Sequence, residues 1–275
     1  MPDSLPPMAA AGSRYRVVLT GACGGIGRAL AERYLRAGAT MALLGRDERV
    51  LGELVALAPD RARAYTPDVT SLGAMTDVAQ DWMEAFGRPD AVIANAGVAG
   101  GFDTAMAEDL AVLRRMLEIN VVGVATTFHA YLAPMREKGA GALVGIASVA
   151  GWRGIPGNGA YCASKGALLR YLESLRAELR GTGVTVTSVS PGYVRTSLTA
   201  GNTMRMPGLI DPDRAAERIV RAVERRREKV TVPRRTGLIS HALGLLPDSA
   251  HDRILLSQPR KPRAGEPGAT DIPGL

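Results

Sequence analysis

Apolar and polar positions follow two alternating patterns along most of the chain. A short apolar run over residues 15–19 gives way to a glycine cluster and then to Ile26, Leu30, Ala31, Tyr34 and Leu35 at three- and four-residue spacing. That order predicts a strand, a turn and a helix. The unit repeats: apolar strands are predicted over 40–44, 63–66, 91–94, 142–147 and 184–189, and helices over 47–58, 71–86, 105–137 and 159–180. Strands separated by helices of ten or more residues need crossover connections, so the pattern predicts an α/β fold, a doubly wound parallel sheet with helices on both faces.

The pattern loosens after Pro191. Residues 192–212, rich in Gly, Thr, Met and Pro, are expected to form a substrate loop, since long loops in compact domains are commonly functional. A helix over 213–228, a last strand over 229–232 and a helical extension over 236–256 complete one domain of residues 15–256. Residues 1–14 are expected to be a flexible tail, and residues 257–275, with four Pro and three Gly from Gln258 onwards, a disordered one.

Thr20-Gly21-Ala22-Cys23-Gly24-Gly25-Ile26-Gly27 stands where the first strand meets the first helix. Glycines let the backbone turn tightly and approach a pyrophosphate, and the helix behind them offers free N–H groups and the positive end of its dipole. This is the phosphate cradle of a Rossmann fold, and Thr20, Gly21, Cys23, Gly25, Ile26 and Gly27 are its candidate residues. About 20 positions further on, dinucleotide folds read the adenosine ribose. There the chain has Gly45-Arg46-Asp47. No acid fills the Gly45 slot to hold a free 2′-hydroxyl, and Arg46 can fork onto a 2′-phosphate, so NADP(H) is preferred and NAD(H) is possible. Arg46 as a merely solvated side chain and Asp47 as a helix cap are the alternatives. Asp68 and Val69 follow the third strand, where a carboxylate can reach the adenine amino group or cap the next helix.

Tyr161 and Lys165 lie one turn apart on one helix face. About 0.1 such Tyr-x-x-x-Lys pairs are expected by chance in this composition, so the surroundings carry the argument. Ser148 ends an apolar strand, Asn95-Ala96-Gly97 ends the preceding one, and Asn120 interrupts the long helix. All four signals point to the carboxyl edge of the sheet. Hydride transfer to a ketone creates an alkoxide, which needs a proton donor and a polarising donor within hydrogen-bond reach. Tyr161 suits the first role and Ser148 the second, and an ammonium at Lys165 is expected to lower the phenol's pKa. Asn120 as a structural amide and Ser148 as a satisfied strand-end hydroxyl stay open.

Over roughly residues 15–232 the sequence resembles the short-chain dehydrogenase/reductase family, whose Thr-Gly-x-x-x-Gly-x-Gly, Asn-Ala-Gly, Ser, Tyr-x-x-x-Lys and Pro-Gly elements occur here in order. The resemblance implies a catalytic tetrad of Asn120, Ser148, Tyr161 and Lys165. It implies cofactor contacts from Asn95, Ala96, Gly97 and Val194, with Tyr161 and Lys165 also touching the cofactor, and places Pro191, Gly192 and Thr196 at the nicotinamide end. It further implies that Lys165 holds the nicotinamide ribose, that Asn120 helps hold a water relay, and that the long helices pair in a homodimer or homotetramer. One departure is Gly24, where many NADPH-dependent members carry a basic residue.

Composition then removes other classes. With 46% hydrophobic residues, the 275-residue chain can bury a sizeable core. The net charge of +7 allows attraction to anions in general. The basic run of residues 225–229 lacks interleaved aromatics, so nucleic-acid binding is not expected. No membrane association is predicted: Leu238, Ile239, Leu243, Leu245 and Leu246 offer an apolar face, but such a segment more often covers a substrate cleft or a subunit contact. Two scattered cysteines and three histidines without ligand spacing predict a reduced, cytoplasmic protein with no metal site. Trp152, Tyr193, Met204 and Met206 suggest an apolar pocket, with walls from residues 97–103, 149–158 and 192–208, for a small-molecule ketone or secondary alcohol on a hydrophobic body. A non-catalytic dinucleotide sensor on the same fold is the rival reading.

Overall fold

A computed structural model describes residues 15–200, 206–256 and 258–275. Its centre is a seven-stranded sheet in the order β3-β2-β1-β4-β5-β6-β7. The strands are β1 (Arg16–Thr20), β2 (Thr40–Leu44), β3 (Ala62–Tyr65), β4 (Ala91–Ala94), β5 (Gly141–Ile146), β6 (Val184–Pro191) and β7 (Lys229–Val232). Every neighbouring pair is parallel.

Side chains alternate between the two faces, and both faces are covered. Val17 and Leu19 of β1, Met41 and Leu43 of β2, and Ile93 of β4 pack under α1 (Gly25–Arg36), α2 (Glu48–Ala56) and, later in the chain, α8 (Pro212–Glu224). Val18, Ala42, Leu44 and Val92 face the opposite way. There they meet α3 (Leu72–Phe86), α5 (Gly123–Lys138) and α6 (Gly159–Glu178), whose Trp82, Phe128, Tyr131 and Leu172 form the second core layer. Two-sided burial explains why these strands read as continuous apolar runs. Asp47 starts α2 by accepting a hydrogen bond from the Val50 N–H at 3.0 Å, and Ser71 does the same for α3 with Ala74.

β1 lies between β2 and β4, so the chain leaves β1 in one direction and returns on its other side. At such a reversal the loops after the two strands part and leave a crevice. The glycine loop and the segment after β4 flank it.

Two expectations need correction. The long helix over 105–137 is three pieces: α4 (Asp109–Leu117), one π-helical turn over Glu118–Val122, and α5. The wider turn rotates Asn120 inward, where it is wholly buried. The second concerns the segment after α9 (Arg234–Gly244) and α10 (Asp248–Leu255), read as disordered. Residues 258–275 instead lie against the domain. Ile272 is buried in a third cluster with Val98, Met116 and Ala160, and Tyr161 packs on its edge. Arg263 donates from Nε and Nη2 to the carboxylate of Asp109, at 2.8 and 3.1 Å. Arg115 donates to the Pro273 carbonyl at 2.7 Å. One apolar anchor and two arginine contacts offset the ordering entropy that Pro- and Gly-rich composition cannot offset alone.

Candidate active site

The crevice is closed at its base by side-chain hydrogen bonds between two loops. Thr20, buried at the end of β1, accepts at Oγ1 from the backbone N–H groups of Asn95 and Ala96, both at 3.1 Å. Asn95 returns two bonds from Nδ2, to the carbonyls of Thr20 (3.2 Å) and Gly21 (3.0 Å). Gly27 has no alternative: a Cβ there would stand 1.9 Å from the Gly21 carbonyl oxygen. α1 begins without a side-chain cap, so its first N–H groups are left for an anion. Across the gap, Thr196 reaches the same loop, its Cγ2 lying 2.6 Å from where a Cβ on Gly25 would be.

The ribose end differs from expectation in one respect. The Gly45 slot is not empty, because the Cys23 thiol fills it; a Cβ on Gly45 would sit 2.2 Å from that sulfur. Asp47 is committed to capping α2. Arg46 is exposed and makes no hydrogen bond or ion pair with another described residue. Asp68 is engaged at both oxygens. Oδ1 accepts from the Thr70 N–H and hydroxyl, and Oδ2 meets Arg115 at 3.4 Å. Desolvation opposes its ionisation, but those bonds outweigh it and hold the carboxyl below its usual range. Val69 packs inward between the second and third clusters.

Ser148, Tyr161 and Lys165 meet beyond β5. Ser148 opens a single 3₁₀ turn over Val149–Gly151, accepting from the Ala150 N–H at 3.1 Å and donating to the Pro191 carbonyl at 3.5 Å. Its hydroxyl favours the ionised form of the Tyr161 phenol. Lys165 is buried, with Nζ 5.9 Å from the Tyr161 ring centroid and 2.9 Å from the Ile146 carbonyl that accepts from it. Burial pulls the Lys165 ammonium down to about 8. The expected acidification of Tyr161 is absent: burial raises its pKa, and the Ser148 hydroxyl offsets this only in part.

Asn120 clamps the backbone. Its Oδ1 accepts from the Val98 N–H at 2.8 Å, and its Nδ2 donates to the Val98 carbonyl and to the Ser164 hydroxyl, each at 2.9 Å. Ser164 in turn donates to the Tyr161 carbonyl at 2.9 Å. Ser164 was not legible as a site residue, since a serine inside a helix gives no pattern of its own. Gly97 marks the convergence: a Cβ there would come within 3.0 Å of Asn120 Oδ1 and 3.3 Å of Lys165 Nζ.

The walls are less uniform. Val194 is buried in the first core layer and forms a lone bridge with Ile210. Gly192 faces Thr236 at the start of α9. The short α7 (Ser197–Ala200) follows Thr196. Trp152 stands edge-on to His241 of α9, centroids 6.1 Å apart. Tyr193 and Met206 are partly buried. Met204 lies outside the described residues. Leu238, Ile239 and Leu245 are exposed on the outer side of the helical extension. Among the described residues no helix is long and apolar enough to cross a membrane, and no group of three or more His, Cys, Asp or Glu is placed to hold a metal.

Comparison with known proteins agrees with this geometry. A family model for short chain dehydrogenases matches residues 15–206. An uncharacterized oxidoreductase of Myxococcus xanthus is 37% identical over 245 residues, covering 86% of this chain and 95% of the relative. Sulfoacetaldehyde reductase 2 of Chromohalobacter salexigens is 40% identical over 190 residues, 68% of this chain and 75% of the relative. The crystal structure of a short-chain dehydrogenase/reductase from Burkholderia phymatum in complex with NAD superposes with a TM-score of 0.75 at 26% identity, covering 93% of this chain and 98% of that one.

Proposed function

Because the chain belongs to the short-chain dehydrogenase/reductase family, whose oxidoreductases act on CH–OH groups with NAD(P), we propose that it is an NADPH-preferring reductase. Its substrates are ketones, or secondary alcohols in reverse. The residues present suit a dinucleotide: an uncapped helix start, and a glycine loop folded back so tightly that a Cβ at Gly27 would strike the Gly21 carbonyl. The glycine loop would hold the pyrophosphate, Arg46 the 2′-phosphate, and Thr196 with Pro191 and Gly192 the nicotinamide end. A bound nicotinamide supplies the hydride.

The chain's own residues handle the proton. Ser148 donates to the substrate oxygen and so polarises the carbonyl, while Tyr161 delivers a proton to the alkoxide as it forms. A phenol whose pKa is raised by burial holds its proton firmly until negative charge develops beside it, which suits an acid in the reductive direction. Lys165 keeps positive charge near that ring, and its remaining N–H groups would hold the ribose hydroxyls. Asn120 positions rather than reacts, holding the Val98 backbone and α6 in register. The apolar Trp152, Tyr193 and Met206 favour a substrate with a hydrocarbon body. Exposed Leu110 and Val122 along α4 and the π turn support pairing of these helices in a dimer or tetramer.

The grouping of Ser148, Tyr161 and Lys165 at the carboxyl edge of β5 carries the reading. Tyr161→Phe keeps the ring and removes the proton, so turnover of a carbonyl panel should fall by about 1000-fold or more while NADPH affinity, measured by fluorescence titration, survives. Undiminished turnover would refute it. A protein that binds NADPH but reduces no carbonyl would favour the sensor.

A further inference from the structure

Of the four lysines in the chain, two are buried. Lys165 belongs to the catalytic group; the other is Lys261, 6% exposed, in the segment after α10. Its surroundings are the three walls of the crevice. Its backbone runs over the first, where the Gly101 N–H donates to the Pro262 carbonyl at 3.0 Å and a Cβ on Gly101 would be 2.3 Å from the Lys261 carbonyl oxygen. The preceding Arg260 packs on Gly157 of the second wall. The Lys261 ammonium itself donates to the Leu198 carbonyl of the third, at 3.1 Å.

That ammonium carries three N–H donors, and one has an acceptor among the described residues. A buried charge with unmet donors is costly unless an anion or further acceptors meet it. No carboxylate among the described residues is bonded to it, although Arg260 and Arg263 on either side are paired with Asp103 and Asp109. Those pairs, with Ile272 beyond, fix the segment at both ends of Lys261. Burial pulls its ammonium to about 8, so an anionic partner is also what would keep it charged at neutral pH.

We propose that Lys261 is a specificity-determining residue that holds an oxoanion, a carboxylate or sulfonate, at the end of the carbonyl substrate remote from Tyr161. This rests on the reductase reading and narrows it: the hydrocarbon body spans the apolar walls, and the acid end meets the ammonium under the C-terminal segment.

The test compares 4-oxopentanoate and 4-oxopentane-1-sulfonate with uncharged 2-hexanone in the intact protein with NADPH. Wild type should prefer the charged ketones in kcat/KM, and Lys261→Met should cut that preference by about 10- to 100-fold, the range for a hydrogen bond to a charged group. Lys261→Arg should recover part of it. Relative rates of the two charged ketones identify the oxoanion. Succinate and isethionate, titrated calorimetrically into the cofactor-free and NADP⁺-loaded protein, should lose affinity by a similar factor in Lys261→Met. Equal discrimination in wild type and variant, or an effect confined to NADPH affinity, overturns the proposal while leaving the reductase standing. Lysine-dependent anion binding without any carbonyl turnover upholds the anion subsite and sinks the reductase. Should Lys261→Met not fold, Lys261→Gln and the wild-type melting shift in succinate against chloride of equal ionic strength decide the matter.

Discussion

Where β1 and β4 part, the crevice is assembled from backbone and glycine: Thr20 and Asn95 tie two adjacent loops, and a carbonyl oxygen lies 1.9 Å from the Cβ that Gly27 lacks. At the other end, where the loop after β6 meets residues 258–275, side chains from distant parts of the sequence do the work. Asp109 meets Arg263, Gly100 meets Ile272, and Leu198 meets Lys261. The first end has one geometry that its chemistry tolerates. The second can change partner by partner, which is how one sheet edge serves one cofactor and many substrates.

The sharpest way to break this contrast is Gly27→Ala. Its methyl must displace the Gly21 carbonyl, so NADPH binding should weaken by about 100-fold or more and the melting temperature should fall. Unchanged affinity would mean that the cradle is not rigid. Ser148→Ala removes the polarising donor and should lower kcat by about 100- to 1000-fold with KM for NADPH little changed, a split that steady-state kinetics reads directly. Arg46→Ala tests the exposed rim of the rigid end: the NADPH:NADH ratio of kcat/KM should drop about 10-fold, and an unaltered ratio would return Arg46 to the solvated surface.

The smallest effect concerns the adaptable end. The Arg263 guanidinium holds the Asp109 carboxyl below its usual range. A depressed carboxylate contributes stability above its unfolded pKa, near about 3.9, and loses it as pH falls through the lower folded value. The C-terminal segment should therefore resist proteolysis at neutral pH and loosen in acid. Arg263→Met should be cut readily at neutral pH, with a flatter acid response.

The rigid end was legible because its rules are local. The spacing Thr20, Gly21, Gly25, Gly27 and the strand endings at Asn95 and Ser148 are short-range signals, and the structure gathers all of them, with Tyr161 and Lys165, at one sheet edge. The π turn was not legible, since one residue of extra winding leaves apolar spacing nearly intact while turning Asn120 inward. Nor was the C-terminal segment: its composition resembles that of disordered chain, and its anchors, Asp109 and Gly100, lie more than 150 residues away. The lowered phenol pKa failed for a different reason, because sequence reveals a neighbouring ammonium but not how deeply both groups are buried.

The thiol of Cys23 standing in the space beside Gly45 couples two positions that would otherwise mutate independently. An acidic residue introduced at 45 to favour NADH meets a sulfur atom before it meets a ribose. Engineering the opposite coenzyme choice thus begins at residue 23, with a glycine there to vacate the site; the order of the two substitutions decides whether the intermediate protein carries that clash.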